Sequence, residues 1–375
     1  MTDLDVDRDE LRTAARDMLG RASTSARVRE VADAPDGFDE NLWRLFAEMG
    51  LPGIEVSEDF DGAGARFGDL AVVLTELGGH LASNGLAATT VLGAGALAAV
   101  PGHALAQDWL PRIASGTARA SAALLSAEGE PSAPGLQASR TADGWRVSGS
   151  SGYVPDAGIA DLLVLRALAD DGRELLLAVD RDTPGLTVTP APMLDITRRF
   201  SDIAANDLVV GDACVLAAGA EAAAVVRLLL DRAALAAAAD ALGVAQRMLD
   251  MTLEYAKTRE QFGRAIGSFQ AVKHRCADMF VAVTTARIAL AEALDAYDAA
   301  PADATAAVSR AKAYTCDAAA QVTEDGVDLH GGIGFTWEHD AHLLLKRVRL
   351  DQALYGDSRT HRRAAADLAW APAAG

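Results

Sequence analysis

Apolar residues recur every three or four positions over long stretches of this chain, and every second position over one central stretch. Val244, Met248 and Met251 fall on one helical face, and Val272 and Cys276 repeat that spacing after a short polar connector. This pattern predicts two long helices joined by a turn, around which we expect the C-terminal half to be organised.

The same criterion divides the rest of the chain into helical ends and a β-rich middle. Asp143-Gly144 marks a hairpin turn within that middle part. Helices are predicted over residues 4–20, 69–80, 219–258, 268–298, 304–329 and 358–369. We therefore predict an α+β fold with an N-terminal helical domain (1–120), a middle antiparallel β domain (121–217) and a C-terminal four-helix bundle (218–375).

The composition permits a large folded protein and predicts no membrane span. A chain of 375 residues with 50% hydrophobic content can bury the cores of two or three domains. Its longest apolar runs, 74–100 and 216–242, are interrupted by glycines and charged residues. Residues 1–8 are acidic and polar, unlike a secretory signal, so we expect a cytoplasmic protein.

The net charge argues against nucleic-acid binding, and the cysteine spacing argues against a zinc site. The net charge of −19 leaves no basic stripe for nucleic acid, although a local arginine cluster would suffice for an anionic CoA ester. Cys214, Cys276 and Cys316 lie in apolar segments without zinc-ligand spacing. We expect reduced thiols and no metal site.

The connector between the two long helices concentrates unusual chemistry in twelve positions. It carries Arg259, Gln261, Phe262 and Gln270, and Ser268 is placed to cap the second helix. A guanidinium fork for phosphate oxygens, an aromatic face and two amides suit a nucleotide diphosphate. The alternative is a helical hairpin with a polar tip.

The order of residues in this connector resembles a known signature. Arg-Glu-Gln-Phe-Gly at 259–263 and Ser-Phe-Gln at 268–270 are similar to the signature loop of the acyl-CoA dehydrogenase family, flavoproteins that oxidise acyl-CoA thioesters. Residues 50–54 and the acidic glycine-rich loop 58–64 are similar to the N-terminal hallmark of that family. The resemblance implies that Arg259, Gln261, Phe262 and Gln270 reach the pyrophosphate and adenine of a neighbouring subunit's FAD.

A second loop extends the resemblance. His-Gly-Gly-Ile-Gly at 330–334 is similar to the family loop that completes the adenosine site, which implies cofactor contacts at Gly331 and Gly332. His330 is expected to serve packing. Asp328 stands where the family usually has a glutamine, and its carboxylate cannot donate a hydrogen bond and repels a pyrophosphate.

The chain departs from the family where a catalytic base is needed. Removing the α-proton of a thioester requires a carboxylate against the substrate. Gly356 occupies the usual glutamate position, and Ala233 occupies the alternative one on the preceding long helix. The neighbouring Asp357 is therefore a candidate base, with the alternative that it caps the helix beginning at Ser358.

A third departure concerns the flavin of the chain itself. The family places an aromatic residue and then, two positions later, a hydroxyl that bonds the flavin ring. Here the aromatic residue is Tyr153, but Pro155 occupies the hydroxyl position and offers no donor. The residues for the chain's own site are thus lost, while those that reach a neighbour are mostly kept.

This sorting predicts a base-lacking subunit that pairs with an intact acyl-CoA dehydrogenase homologue. Residues 334–340 and 356–362 resemble the non-catalytic partners of actinobacterial members that act on CoA esters of steroid side chains, which implies a heterotetramer. The resemblance further implies an acyl-CoA substrate, FAD as the cofactor and an electron-transfer flavoprotein as the electron acceptor. Two alternatives stay open at this point. One is a homotetrameric active flavoenzyme with Asp357 as the base, and the other is a structural subunit that binds no FAD.

Overall fold

A computed structural model describes residues 3–82 and 85–370, and the predicted domain ends at residues 1 and 375 lie outside the described residues. Helices α1 to α11 are, in order, Asp3–Ala22, Ser25–Asp33, Glu40–Glu48, Phe67–Gly79, Gly95–Ala98, Ala104–Ala114, Ala220–Thr258, Gln270–Ala299, Thr305–His330, Ala341–Ala353 and Ser358–Ala369. Strands β1 to β10 are Ala120–Ala123, Leu136–Thr141, Gly144–Pro155, Leu162–Ala169, Glu174–Asp180, Leu186–Pro190, Phe200–Val210, Val215–Ala218, Glu260–Gln261 and Arg264–Ala265.

These elements confirm the predicted fold class, with helices at both ends and a sheet in the middle. The sheet order is β6-β7-β3-β2-β4-β5-β8, with β1 also paired to β4. Most pairings are antiparallel, but β1 and β2 both run parallel to β4, so the sheet is mixed rather than wholly antiparallel. A hairpin turn joins β2 to β3 one residue earlier than predicted: Ala142 and Asp143 form the turn, and Gly144 begins β3 opposite Thr141.

The described residues form two compact units. The helical unit comprises Met1–Glu30, Phe67–Ala82 and Ala234–Gly375, and the sheet unit comprises Val31–Arg66 and Ser83–Ala233. The boundary falls within α7. The division into three domains drawn from the sequence stays a prediction.

The sheet unit is centred on side chains that point to one face of the mixed sheet. Val147, Leu165, Leu177 and Ile203 are fully buried there, because alternate residues of each strand face the same side. Arg232 of α7 is also buried in this unit.

The Arg232 guanidinium serves a local structural role. It donates to both carboxylate oxygens of Glu55, at 3.1 and 2.7 Å, and to the carbonyl oxygens of Thr90 and Val91. Those two carbonyls belong to the π-helical segment Ala88–Ala94, whose wider turns leave backbone groups that need partners.

The helical unit is built around α9, which packs against α8, α10 and α11. Helix α10 was not predicted, so the C-terminal region has five long helices among its described residues rather than four. The buried face of α10 contains Arg347 and Asp351 among its leucines. These buried charges obscure the apolar periodicity by which a helix is recognised.

Arg347 is buried because its guanidinium is paired with a buried carboxylate. Its Nε donates to Asp240 Oδ2 at 2.9 Å and its Nη2 to Asp240 Oδ1 at 2.8 Å, and both side chains are almost inaccessible to water. The same Nη2 reaches the carbonyl oxygen of Ala82 at 3.3 Å. One side chain therefore joins α10, α7 and the segment after α4.

Helices α4 and α7 approach each other unusually closely. A Cβ at Gly78 would lie 2.2 Å from the carbonyl oxygen of Asp240, and one at Gly243 would lie 1.8 Å from that of Thr75. Only glycine fits at either position.

Among the helices of residues 3–82 and 85–370, none is both long and apolar enough to cross a membrane.

We expect Arg347→Met to lower the free energy of unfolding by about 3–5 kcal/mol, because it removes the guanidinium that donates to both oxygens of the buried Asp240 carboxylate. Urea denaturation followed by circular dichroism measures this loss. Arg349→Met on the same helix is the matched control. It breaks a half-exposed pair with Glu324 and should cost less than about 1 kcal/mol. Equal losses for the two variants would contradict the role assigned to Arg347.

Candidate functional site

The connector after α7 is a small β-hairpin. Glu260–Gln261 pairs with Arg264–Ala265, and the two residues between them, Phe262 and Gly263, have φ of 55° and 77°. Positive φ at both central positions is typical of the type I′ turn, which matches strand twist. Glycine adopts it freely, but for phenylalanine it costs about 1–2 kcal/mol.

The strained Phe262 side chain gains little burial within the chain. It is 91% exposed and touches Phe269 edge-on, with ring centroids 6.1 Å apart. The Arg264 guanidinium covers Phe269 at 4.1 Å. The hairpin therefore presents an aromatic face to its surroundings.

The polar residues predicted for the cofactor lie close to these two aromatic residues in the chain. Arg259, Gln261 and Gln270 are all exposed. The Arg259 backbone is fixed at both ends, since its N–H donates to the Tyr255 carbonyl and its carbonyl accepts from Ile266, each at 2.8 Å. Its guanidinium has no hydrogen-bond or ion-pair partner within the two described ranges of the chain.

The start of α8 differs from the prediction for Ser268. The N-cap of α8 is Phe269, and no side chain caps this helix end. Ser268 ends a 3₁₀ turn over Ile266–Ser268 instead. The prediction of a Ser268 cap is wrong because the 3₁₀ turn moves the helix start by one residue. Gly267 allows this turn to lie against α7, where a Cβ would be 2.8 Å from the Ala256 carbonyl oxygen.

The second predicted loop follows α9. Gly331 has φ 64° and ψ −144°, a conformation that is essentially restricted to glycine. A Cβ at Gly334 would lie 2.8 Å from the Val327 carbonyl oxygen, whereas Gly332 is in open space. Glycine is thus required at 331 by the backbone conformation and at 334 by close packing. At 332 no neighbouring atom of the described residues restricts the side chain.

An aromatic stack brings the two loops to one end of the helical unit. His330, directly before Gly331, stacks on Tyr255 of α7 with centroids 4.6 Å apart. Its Nδ1 lies 2.7 Å from the Gly326 carbonyl oxygen. Tyr255 precedes Arg259 by one helical turn, so Arg259 and Gly331 leave the bundle side by side. The burial of His330 agrees with a packing role.

Asp328 has a neighbour that was not identified from the sequence. Its carboxylate is 67% exposed, and Arg275 Nη1 of α8 lies 3.8 Å from Asp328 Oδ2. Arg275 also pairs with the buried Asp325. A positive charge at this position offsets part of the repulsion that Asp328 exerts on a phosphate.

The position of the usual catalytic glutamate is occupied by a glycine with a special conformation. Gly356 has φ 105°, where side chains are rarely tolerated. A Cβ there would also lie 3.2 Å from His361 Nε2 and 3.3 Å from Thr360 Cγ2. The alternative position, Ala233, is buried and carries no carboxylate.

Asp357 is the N-cap of α11. Its Oδ1 accepts a hydrogen bond from the Thr360 N–H at 2.8 Å, and its side chain is exposed. The hydrogen bond from Thr360 lowers the pKa of Asp357 from its ordinary value. A lower pKa makes the carboxylate a weaker base. The capping alternative considered for Asp357 thus accounts for its geometry.

Buried polar groups hold the loop 354–357 in place. Lys312 Nζ of α9 donates to the Asp351 carbonyl oxygen at 2.6 Å and lies 3.5 Å from that of Gly356. His361 Nε2 lies 3.2 Å from the Tyr355 carbonyl oxygen and Nδ1 lies 3.1 Å from Ser309 Oγ. Burial, and next the charge of Lys312, lower the pKa of His361 to about 4.

The flavin-contact segment of the sheet unit offers few donors. Tyr153 is 40% exposed with φ 53°, and the Pro155 carbonyl accepts a bond from Ser121 Oγ at 2.6 Å. The Tyr153 ring lies over Gly129, where a Cβ would be 2.9 Å away. These residues do not fit a flavin that needs hydroxyl donors.

We expect His361 to make stability pH-dependent. Because its folded pKa of about 4 lies below its unfolded value, the unfolded chain takes up a proton first as the pH falls. Stability is therefore present above about pH 6.5 and decreases towards pH 4, by on the order of 2–3 kcal/mol. In His361→Gln this component should disappear from denaturant midpoints measured across the range. The exposed His274→Gln is the control, and identical pH slopes for all three proteins would contradict the assignment.

Comparison with known proteins identifies the family of the chain. The family model "Acyl-CoA dehydrogenase, C-terminal domain" matches residues 222–369, and "Acyl-CoA dehydrogenase, N-terminal domain" matches residues 6–117. The acyl-CoA dehydrogenase IpdE2 of Mycolicibacterium smegmatis is 33% identical over 363 residues, which cover 95% of this chain and 97% of that protein.

Two solved structures are similar over nearly the full length. The ChsE4-ChsE5 complex from Mycobacterium tuberculosis matches with a TM-score of 0.90 and 30% identity, covering 100% of this chain and 99% of that chain. A variant of the Tcur3481-Tcur3483 steroid ACAD matches with a TM-score of 0.87 and 32% identity, covering 98% of each chain. From the two domain matches and the full-length similarity, we conclude that this chain belongs to the acyl-CoA dehydrogenase family.

Proposed function

We propose that this chain is the base-lacking subunit of a heteromeric acyl-CoA dehydrogenase. In this assembly an intact homologue holds the FAD and the acyl-CoA thioester, and this chain completes the cofactor site from the neighbouring position. The observation that carries the proposal is the contrast between the exposed hairpin at 260–265 and the glycine at 356. The complex works in the cytoplasm and passes electrons to an electron-transfer flavoprotein.

The hairpin has the properties of a segment that contacts another molecule. Phe262 is strained and 91% exposed, and Arg259 has no partner within the described parts of the chain. A planar guanidinium can donate two parallel bonds to pyrophosphate oxygens. Gln261 and Gln270 add amide donors and acceptors for an adenine edge. Strain and exposure of this kind are retained when an outside contact compensates for them.

The second loop supports the same assignment. Gly331 and Gly332 leave the end of α9 beside the hairpin and expose backbone that a ligand can approach. Asp328 is the unfavourable member of the set, and Arg275 at 3.8 Å offsets its charge. The donor set thus fits an adenine nucleotide diphosphate held in an adjacent subunit.

The chain's own reaction centre lacks a carboxylate for the proton and a hydroxyl for the flavin ring. FAD, when bound, accepts the hydride from the substrate β-carbon, and a carboxylate must take the α-proton. Gly356 and Ala233 supply no carboxylate, and Pro155 supplies no hydroxyl. The nearest acidic residue, Asp357, already caps α11. This arrangement favours a supporting role over an independent active site.

The names of the similar structures agree with a two-component assembly. ChsE4-ChsE5 is described as a complex, and the Tcur3481-Tcur3483 pair is described as a steroid ACAD. We therefore infer an acyl-CoA substrate of the fatty-acid or steroid side-chain type for the complex that contains this chain.

We expect the purified chain to lack flavin, and co-expression with a homologue that carries the glutamate missing at Gly356 to yield about one FAD per two chains. Flavin absorbance with protein quantitation measures the ratio. About one FAD per chain in the isolated protein, bleached by an acyl-CoA, would establish the homotetrameric alternative instead.

Arg259→Ala provides the matching loss-of-function test. In the co-expressed complex it should reduce FAD content and turnover, since it removes the guanidinium offered to the pyrophosphate. Arg310→Ala, an exposed arginine of α9 outside the two loops, is the control. Unchanged flavin content in Arg259→Ala would favour a structural subunit that does not contact FAD.

A separate prediction concerns Asp357. As an N-cap, it should be replaceable by asparagine with little effect, whereas Asp357→Ala should cost about 1 kcal/mol of stability. Neither variant should change the turnover of the co-expressed complex, measured with an acyl-CoA and an artificial electron acceptor. Loss of turnover in the stable Asp357→Asn variant would show that Asp357 acts as a base.

A further inference from the structure

The helical unit contains a polar cavity that the proposed function does not use. It has a volume of about 370 Å³ and lies among α1, α4, α7 and α8. Four arginines line it, together with two carboxylates and the end of α4: Arg12, Arg16, Arg247, Arg287, Glu76, Asp250, Gly79 and His80. The lining carries more positive than negative formal charge, in a chain whose overall charge is −19.

Part of this charge is compensated within the cavity wall. Arg16 pairs with Glu76 through two bonds, at 3.1 and 2.8 Å, and Arg12 pairs with the exposed Asp9. The pair with Arg16 neutralises Glu76, so the Glu76 carboxylate does not act as a free negative charge in the cavity.

Two arginines are available to a ligand. Arg287 Nη2 donates to Gln246 Oε1 at 2.6 Å, and Gln246 in turn donates to Asp250 at 2.9 Å. Partial burial, and next the like charges of Arg12 and Arg16, lower the pKa of Arg287 from its ordinary value. Arg247 has no hydrogen-bond or ion-pair partner among residues 3–82 and 85–370. The two guanidiniums outnumber the Asp250 carboxylate that lines the same cavity, and this local excess of positive charge favours binding of an anion.

The cavity is built into the helix packing. Gly243 lets α7 approach α4 so closely that a Cβ there would be 1.8 Å from the Thr75 carbonyl oxygen, and a Cβ at Gly79 would be 3.2 Å from the Gly243 carbonyl oxygen. Arg247 lies one turn after Gly243, on the same face of α7. The close crossing therefore places Arg247 next to the backbone of Gly79 and Gly243, which also line the cavity.

A second cavity lies beside the first. It has a volume of about 320 Å³ and shares Gly79, His80 and Arg247 with it. Its wall carries the hydroxyl residues Ser23, Thr24 and Ser25 and also the Asp340 carboxylate, which is paired with Arg29 at 2.5 Å. Arg247 therefore stands where an arginine-lined cavity meets a hydroxyl-lined one. Together the two volumes lie in the range of small-molecule sites.

We propose that these joined cavities bind a small phosphate-bearing anion, with the phosphate on Arg247 and Arg287. Arg247 and Arg287 offer two guanidinium groups to a phosphate, and its oxygens suit bidentate guanidinium donors better than a single carboxylate does. The adjacent hydroxyl-lined cavity accommodates the polar remainder of a phosphomonoester. The site lies apart from the hairpin at 260–265, and its existence does not depend on the proposed function.

Isothermal titration calorimetry of the full chain tests this site with inorganic phosphate, with adenosine monophosphate and with acetate at matched ionic strength. We expect both phosphates to bind in the micromolar to low-millimolar range, with affinity that falls as salt increases, since the arginines are open to solvent. The monophosphate should bind more tightly than inorganic phosphate if the hydroxyl-lined cavity takes part. Acetate should bind at least about tenfold more weakly.

Arg247→Gln and Arg287→Gln should each weaken phosphate binding about tenfold or more, while Arg310→Gln, outside the cavity, should leave it unchanged. Circular dichroism and thermal unfolding establish that the variants are folded, and Arg287→Gln provides a second test if Arg247→Gln is unstable. The proposal is overturned if no phosphate binds, if acetate binds equally well, or if binding survives both substitutions. Flavin content of the co-expressed complex should be the same for Arg247→Gln, which separates this site from the proposed function.

Discussion

The helical unit depends on an ion pair that water hardly reaches. Arg347 and Asp240 are joined by two hydrogen bonds, at 2.9 and 2.8 Å, in the middle of the packed helices. Removing both charges from water is costly, and the pair is stable only because each donor of the fork meets its own carboxylate oxygen. The planar fork fixes how α10 is rotated against α7. Since α10 leads directly into residues 354–357, the position of that loop follows from the same pair.

The loop keeps its shape without a carboxylate at the usual position. Lys312 binds the last carbonyls of α10, His361 lies against the Tyr355 carbonyl, and Asp357 caps α11. Gly356 adopts a conformation in which a side chain is rarely tolerated. Helix ends and buried polar groups therefore determine this segment, and a Cβ at 356 would be in tight contact with His361 and Thr360.

Strain and exposure are found together at the other end of the unit. Phe262 combines a positive φ with a ring that is 91% exposed and that touches the Phe269 ring edge-on. The Tyr255–His330 stack places this hairpin beside the glycines after α9. A cost that packing inside the chain does not offset is best explained by a contact outside it, which is the basis of the role proposed for Arg259.

The sequence alone determined the fold class, the long helices and the residues of the two loops, because helical periodicity, glycines and short spacings are local properties. It did not reveal α10, the Arg275–Asp328 contact, or the arginine cavity around Arg247. Each of these depends on side chains that lie far apart in the chain, such as Arg275 and Asp325, separated by 50 positions. Only the packing of helices brings such groups together. It also decided that Asp357 caps α11, since its hydrogen bond to the Thr360 N–H exists once that helix has formed.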